Sequence, residues 1–185
     1  MNPNVDAWLD AHRQEIIEAV QKIIAIPSVK AAPAPGAPFG AEIKASLDCA
    51  LGLAAELGFA TEDLAGYAGT AEFGAGEVLV GILCHLDVVP AGTGWSYPPF
   101  GGELHDDKIY GRGTLDDKGP AIAALYAMAA VKACGLPMKR RVRLILGCAE
   151  ESGLECLKYY CKHAEVPTMS FSPDAQYPLV NSEKH

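Results

Sequence analysis

The chain has 185 residues, half of them hydrophobic, with a formal net charge of −8 and a pI near 5.1. That length suits one domain around one sizeable core, and the acidic balance excludes the clustered Lys and Arg that binding to a nucleic-acid backbone requires. The longest apolar run, 121–131, has eleven residues, too few to cross a bilayer, so neither nucleic acid nor membrane is expected as a partner.

The first segment, MNPNVDAWLD, has no basic n-region and no apolar h-region, so no secretion signal is expected. The six cysteines form no CxxC pair; together these features predict reduced thiols and a cytoplasmic location. Over residues 5–25, Leu9, Ile16, Val20 and Ile23 recur at helical spacing, with Ile17 and Ile24 widening the stripe. This predicts one amphipathic helix, ended by Pro27. KAAPAPGAPFG (30–40) reads as a loop, and a second helix is expected over 41–57 with Gly58 as its stop.

Strand-like runs follow at 59–63, 71–73 and 78–85, then a hairpin over 103–111 turning at Asp106-Asp107. A helix opens at Pro120 and closes near Cys134, before Gly135 and Pro137. Arg141 to Ala149 reads as a buried strand, 152–163 as a helix and 169–173 as a short strand. The basic cluster Lys139-Arg140-Arg141 with Arg143 reads as a solvated loop and strand edge. Strands alternating with helices predict an α/β fold, a mostly parallel sheet covered on both faces.

Sites in such sheets form where strands end, and there the polar residues gather. His85 and Asp87 follow the apolar run GILC; Asp116 and Asp117 precede the Pro120 helix; Glu150 and Glu151 follow VRLILGCA; Asp174 follows MSFSP. Each has an ordinary explanation alone. His85 could be a satisfied strand-end histidine, and Asp87 could fix its tautomer or cap the loop. Asp116 and Asp117 could interact with a helix N-terminus. Glu150 and Glu151 could be a solvated pair, and Asp174 a turn residue. Together they are one imidazole and six carboxylates at one edge. Like charges that close raise one another's pKa unless a cation joins them. One His with carboxylates suits zinc, with manganese or cobalt as alternatives, and carboxylates can bridge two ions.

HLDVVPAGTGW, YGRGTLDDKGP, EESG and FSPDAQYPLVNSEK resemble the dinuclear-zinc metallopeptidases that include carboxypeptidase G, aminoacylase and succinyl-diaminopimelate desuccinylase. YAGTAEFGAG and SPDAQYP resemble the peptidase V, carnosinase-like dipeptidase branch. The resemblance runs from about Trp8 to Lys184 and implies a three-layer α/β/α catalytic domain that hydrolyses the amide bond of dipeptides with two Zn2+. It implies that His85 and Asp174 hold one metal, Asp116 bridges both and Glu151 holds the second. It implies Glu150 as general base, Asp87 as the residue that orients His85, and a cis peptide after Asp116. Adjacent glutamates on a regular strand point opposite ways, so the strand must end at Glu150 for both to reach the cleft.

The family pattern also has a histidine for the second metal and an inserted lid, both further along a longer chain. His12, His105, His163 and His185 stand in no matching context. Residues 1–185 therefore read as a truncated N-terminal portion of the catalytic domain, keeping the half-site of His85, Asp116 and Asp174. The rest of the enzyme is needed for the last ligand and lid, and a small peptide is the expected substrate. A deacylase of N-acyl amino acids and an inactive α/β binding module are the alternative readings. Trp95, Tyr97 and Phe100 could border the cleft or pack on the hairpin. The sequence carries no signal for oligomeric state.

Overall fold

The computed structural model describes residues 2–174. Ala175 to Lys184 of the last quoted motif, and His185, lie outside the described residues.

The first helical stripe forms two helices, α1 (Pro3–Ala11) and α2 (Arg13–Ile24), where the periodicity predicts one. The break is His12, whose backbone N–H is shared between the Trp8 and Leu9 carbonyls and whose ring stacks on Trp8. Helix α3 (Ala41–Glu56) ends where expected, at Gly58, whose φ of 76° suits a residue without Cβ. Strands β1 (Ala60–Leu64), β2 (Ala68–Phe73) and β3 (Leu79–His85) follow. The hairpin is β4 (Glu103–His105) and β5 (Lys108–Tyr110), with Asp106 and Asp107 both at positive φ in the turn. Helix α4 (Lys118–Ala133), strand β6 (Arg141–Gly147), helix α5 (Glu155–His163) and strand β7 (Met169–Phe171) complete the described chain.

The main sheet has the order β1-β2-β6-β3-β7. The α/β class stands, but the sheet is mixed where a mostly parallel one is predicted: β3 runs parallel to β6 and β7, while β1–β2 and β2–β6 are antiparallel. The cause is the short turn at 65–67, which folds β2 back on β1, as only antiparallel neighbours allow.

Side chains alternate across the sheet. Ala71, Ile82, Cys84, Leu144 and Leu146 pack into the larger core with α2, α3 and α4. Leu64, Ala68, Ile145 and the half-buried Leu83 face the other way, against Tyr160 and Leu157 of α5. His85, two residues after Leu83, belongs by strand period to the α5 face. The Gly119 backbone closes the 113–119 loop by bonding Gly113 O, and a Cβ there would collide with the Thr114 carbonyl oxygen. That contact fixes the loop carrying Asp116 against the start of α4. Among the described residues no helix is long and apolar enough to cross a membrane.

Candidate metal centre

Strand β3 delivers His85 to the sheet edge with 3 % of its surface exposed. Its Nε2 lies 2.9 Å from Asp116 Oδ1 and 3.8 Å from Asp174 Oδ2. One ligand atom from each of these residues falls within 4.8 Å of the others, and theirs is the metal-type cluster found among the described residues. Donors on one tetrahedral zinc stand about 3.4 Å apart, so small side-chain shifts would seat an ion among them. The donor chemistry fits: one imidazole nitrogen and two carboxylates.

On the other side of the ring, His85 Nδ1 is 3.0 Å from the Asp87 carbonyl oxygen and 3.4 Å from its Oδ1. Nδ1–H donates best to the backbone oxygen, which leaves Nε2 unprotonated in the neutral ring and facing the carboxylates. Burial alone would favour that neutral ring. The hydrogen bond and charge of Asp87, with the charge of Asp117, outweigh it and raise the pKa to about 9.

Asp87 is 1 % exposed. Its Oδ1 accepts from the Glu150 N–H at 3.0 Å and its Oδ2 from the Glu151 N–H at 3.1 Å. Strand β6 ends at Gly147, three residues before Glu150, so the two glutamates sit on a turn, as access to the cleft demands. Glu150 lines a cavity of about 370 Å³ together with His85, Asp174 and the apolar Leu83, Ile145 and Leu157. Glu151 is exposed and lies outside the three-donor cluster. Its pKa is nevertheless raised, first by partial burial and then by the charges of Asp116, Glu150 and Asp87, against the lowering influence of His85.

The Asp116–Asp117 peptide is cis. The two acids part there: the Asp116 side chain is 59 % exposed, Asp117 fully buried. Asp117 Oδ2 accepts from the His85 backbone N–H at 3.1 Å. Burial and the charge of Asp174 raise its pKa, His85 lowers it, and the balance is about 7. The Cys84 thiol beside it is pushed far above its usual range, by burial first and then by that charge. The sequence reading places Asp117 in the acidic edge without a role; a buried partner for the histidine backbone carries no signal in a run of two aspartates. Lys118, also fully buried, donates to the Ile23 and Ile26 carbonyls at 3.0 and 2.6 Å, and burial lowers its pKa to about 8. It serves the end of α2.

Tyr97 stacks on His105 at 4.0 Å, which favours the hairpin-packing reading for that residue. Trp95 holds Ala91 O through its Nε1 and lies against Arg112.

The profile of Peptidase family M20/M25/M40 matches residues 81–184. A Bacillus subtilis (strain 168) protein, YtjP, provisionally named a dipeptidase, is 46% identical over 174 residues, covering 93% of this chain and 38% of its own length. A Staphylococcus aureus (strain USA300) protein, likewise provisionally named a dipeptidase, is 42% identical over 175 residues, with coverages of 94% and 37%. The crystal structure of human carnosine dipeptidase 1 is similar at a TM-score of 0.70 and 28% identity, over 83% of this chain and 36% of that one. The chain thus spans under two-fifths of the length of these relatives.

Proposed function

The chain belongs to peptidase family M20/M25/M40, and on that premise we propose that residues 1–185 are the N-terminal portion of a metal-dependent dipeptidase's catalytic domain. The supporting observation is the buried His85 Nε2 facing Asp116 and Asp174 at near-ligand separation. In this reading His85, Asp116 and Asp174 hold one ion. Asp116 and Glu151, with a ligand from the remainder of the enzyme, would hold a second. Zinc is the proposed ion, with manganese or cobalt as alternatives.

When bound, such ions polarise the scissile carbonyl and make an attacking water acidic. Glu150 takes the proton of that water at a carboxylate oxygen and returns it to the leaving nitrogen. Asp87 fixes the His85 tautomer, so that Nε2 is kept for the ion. A small peptide is the substrate, and the dipeptide names of the relatives support that size class. The six unpaired thiols suit a reducing compartment, the cytoplasm in this reading.

Zinc titration of the chain tests the ligand set. Wild type binds one zinc, His85→Ala weakens binding at least a hundredfold, and Glu150→Gln stays within threefold, because a base is not a ligand. Full affinity in the histidine variant, or loss in the glutamine variant, would overturn the assignment. The substrate class is tested by placing residues 1–185 in the matching segment of the Bacillus relative. That chimera should cleave unblocked dipeptides, and Glu150→Gln should lower kcat at least a hundredfold. A zinc-loaded chimera that cleaves only N-acyl amino acids would move the reading to the deacylase.

A further inference from the structure

We propose that Asp87 is a positioning residue for the turn carrying Glu150 and Glu151, a role separate from its contact with His85. The ladder explains why. Strands β3 and β6 are parallel with His85 opposite Gly147, and the last main-chain bond between them is Leu86 N–H to Gly147 O. Beyond it the β3 backbone turns away: Val88 N–H donates to Ser28 O, and Ser28 Oγ–H donates to Leu86 O. The next carbonyl along that chain, Leu86 O, is thus engaged by Ser28.

The Asp87 carboxylate takes that place. It receives the Glu150 and Glu151 N–H groups, one on each oxygen, at 3.0 and 3.1 Å. A carboxylate bound by two amides is a charge-assisted, bidentate clasp, stronger and more directional than neutral bonds. Two local bonds complete the turn, Gly153 N–H to Glu150 O and Leu154 N–H to Ala149 O. The His85 ring, meanwhile, has its nearest Nδ1 acceptor in the Asp87 backbone oxygen, which any residue at position 87 supplies. The side chain thus bonds both glutamate amides, while the main chain supplies the histidine's nearest acceptor. What the positioned glutamates do rests on the dipeptidase reading; the clasp does not.

The direct test is solution NMR on the 15N,13C-labelled wild-type chain. Through-hydrogen-bond couplings from the Asp87 side-chain carboxyl carbon to the Glu150 and Glu151 amide nitrogens are expected, and their absence would overturn the proposal without any variant. Amide exchange adds a graded readout. Asp87→Asn keeps one acceptor oxygen and should lose at least tenfold protection at one of the two amides; Asp87→Ala should lose it at both. In both variants the Ile145 amide keeps its protection, and the His85 Nδ1–H stays bonded to the main-chain oxygen of residue 87, read as a slowly exchanging ring N–H. A general structural role would instead loosen all these sites together. Unchanged protection at Glu150 and Glu151 in folded Asp87→Ala, or a lost His85 Nδ1–H bond with the amides intact, would contradict the assignment. None of these readouts involves zinc or peptide, so failure of the dipeptidase reading would leave them unaffected.

Discussion

Strand β6 begins and ends in charge, and its two ends solve the problem differently. At the start, Arg141 and Arg143 meet Glu72 and Glu165: Arg141 reaches Glu72 at 3.2 Å and Glu165 at 2.6 Å, and Arg143 reaches Glu72 at 2.6 Å. Two cations face two anions, and Tyr160 adds its hydroxyl to Arg143 at 2.9 Å. At the far end, His85 stands among Asp87, Asp116, Asp117, Asp174, Glu150 and Glu151. The nearest lysine in sequence, Lys118, is bonded instead to backbone carbonyls of α2. At one end cations and anions alternate; at the other His85 sits among carboxylates, and like charges that close raise one another's pKa unless a cation joins them.

The largest expected break in this symmetry comes from zinc. At a hundredfold excess over its Kd, zinc should stabilise the chain by about 2.7 kcal/mol, raising Tm by about 5 to 10 °C in a protein of this size. His85→Ala should abolish the shift, whereas Arg143→Met should leave it intact. A calorimetric scan with and without zinc reads both.

Acid should separate the ends nearly as far. In the metal-free chain His85 keeps its proton up to about pH 9, and zinc must expel that proton to bind. Zinc affinity should therefore rise about tenfold per pH unit, close to a hundredfold from pH 6 to 8, and level off above pH 9. The linked stability has the opposite sign. A raised histidine pKa adds stability that is complete below about pH 6.5 and lost as pH rises through about 9. Metal-free Tm should fall most between about pH 6.5 and 8, above which Lys118, its pKa lowered by burial to about 8, begins to oppose the loss, while zinc-bound Tm holds. Glu165 and Glu72 hold Arg141 above the ordinary arginine value, Arg143 is raised against its burial by Tyr160 and Glu72, and Arg141 holds Glu165 below the ordinary carboxylate value, so Arg143→Met should not alter either slope.

Smaller effects test the balanced end. Arg143→Met removes a half-buried donor from Glu72 and Tyr160 and should cost about 1 kcal/mol in urea unfolding. Glu165→Gln touches an exposed pair, and its Tm should match wild type within error. A large loss in Glu165→Gln would mean the two ends are less different than their geometry indicates.

The acidic end was the more legible of the two. Apolar runs such as GILC and LILGCA that stop on His, Asp and Glu announce strand ends with polar work to do, and His85, Asp116 and Asp174 converge as that pattern predicts. What the sequence hides is pairing between distant strands. The antiparallel insertion of β2 between β1 and β6 depends on a turn and a register, neither written in local periodicity. The same holds for Asp87: its bonds to Glu150 and Glu151 exist because His85 pairs with Gly147. Asp117 was obscured by its neighbour, since two adjacent aspartates before a helix look alike until one is exposed and the other buried. The break at His12 falls inside an unbroken apolar period, where nothing local marks it.

Zinc K-edge X-ray absorption on the chain loaded with one equivalent of zinc reads the ligand set itself. One imidazole nitrogen and carboxylate oxygens are expected at about 2.0 to 2.2 Å, with no sulfur. A shell of sulfur at about 2.3 Å would place the ion on the cysteines and contradict the His85, Asp116 and Asp174 site.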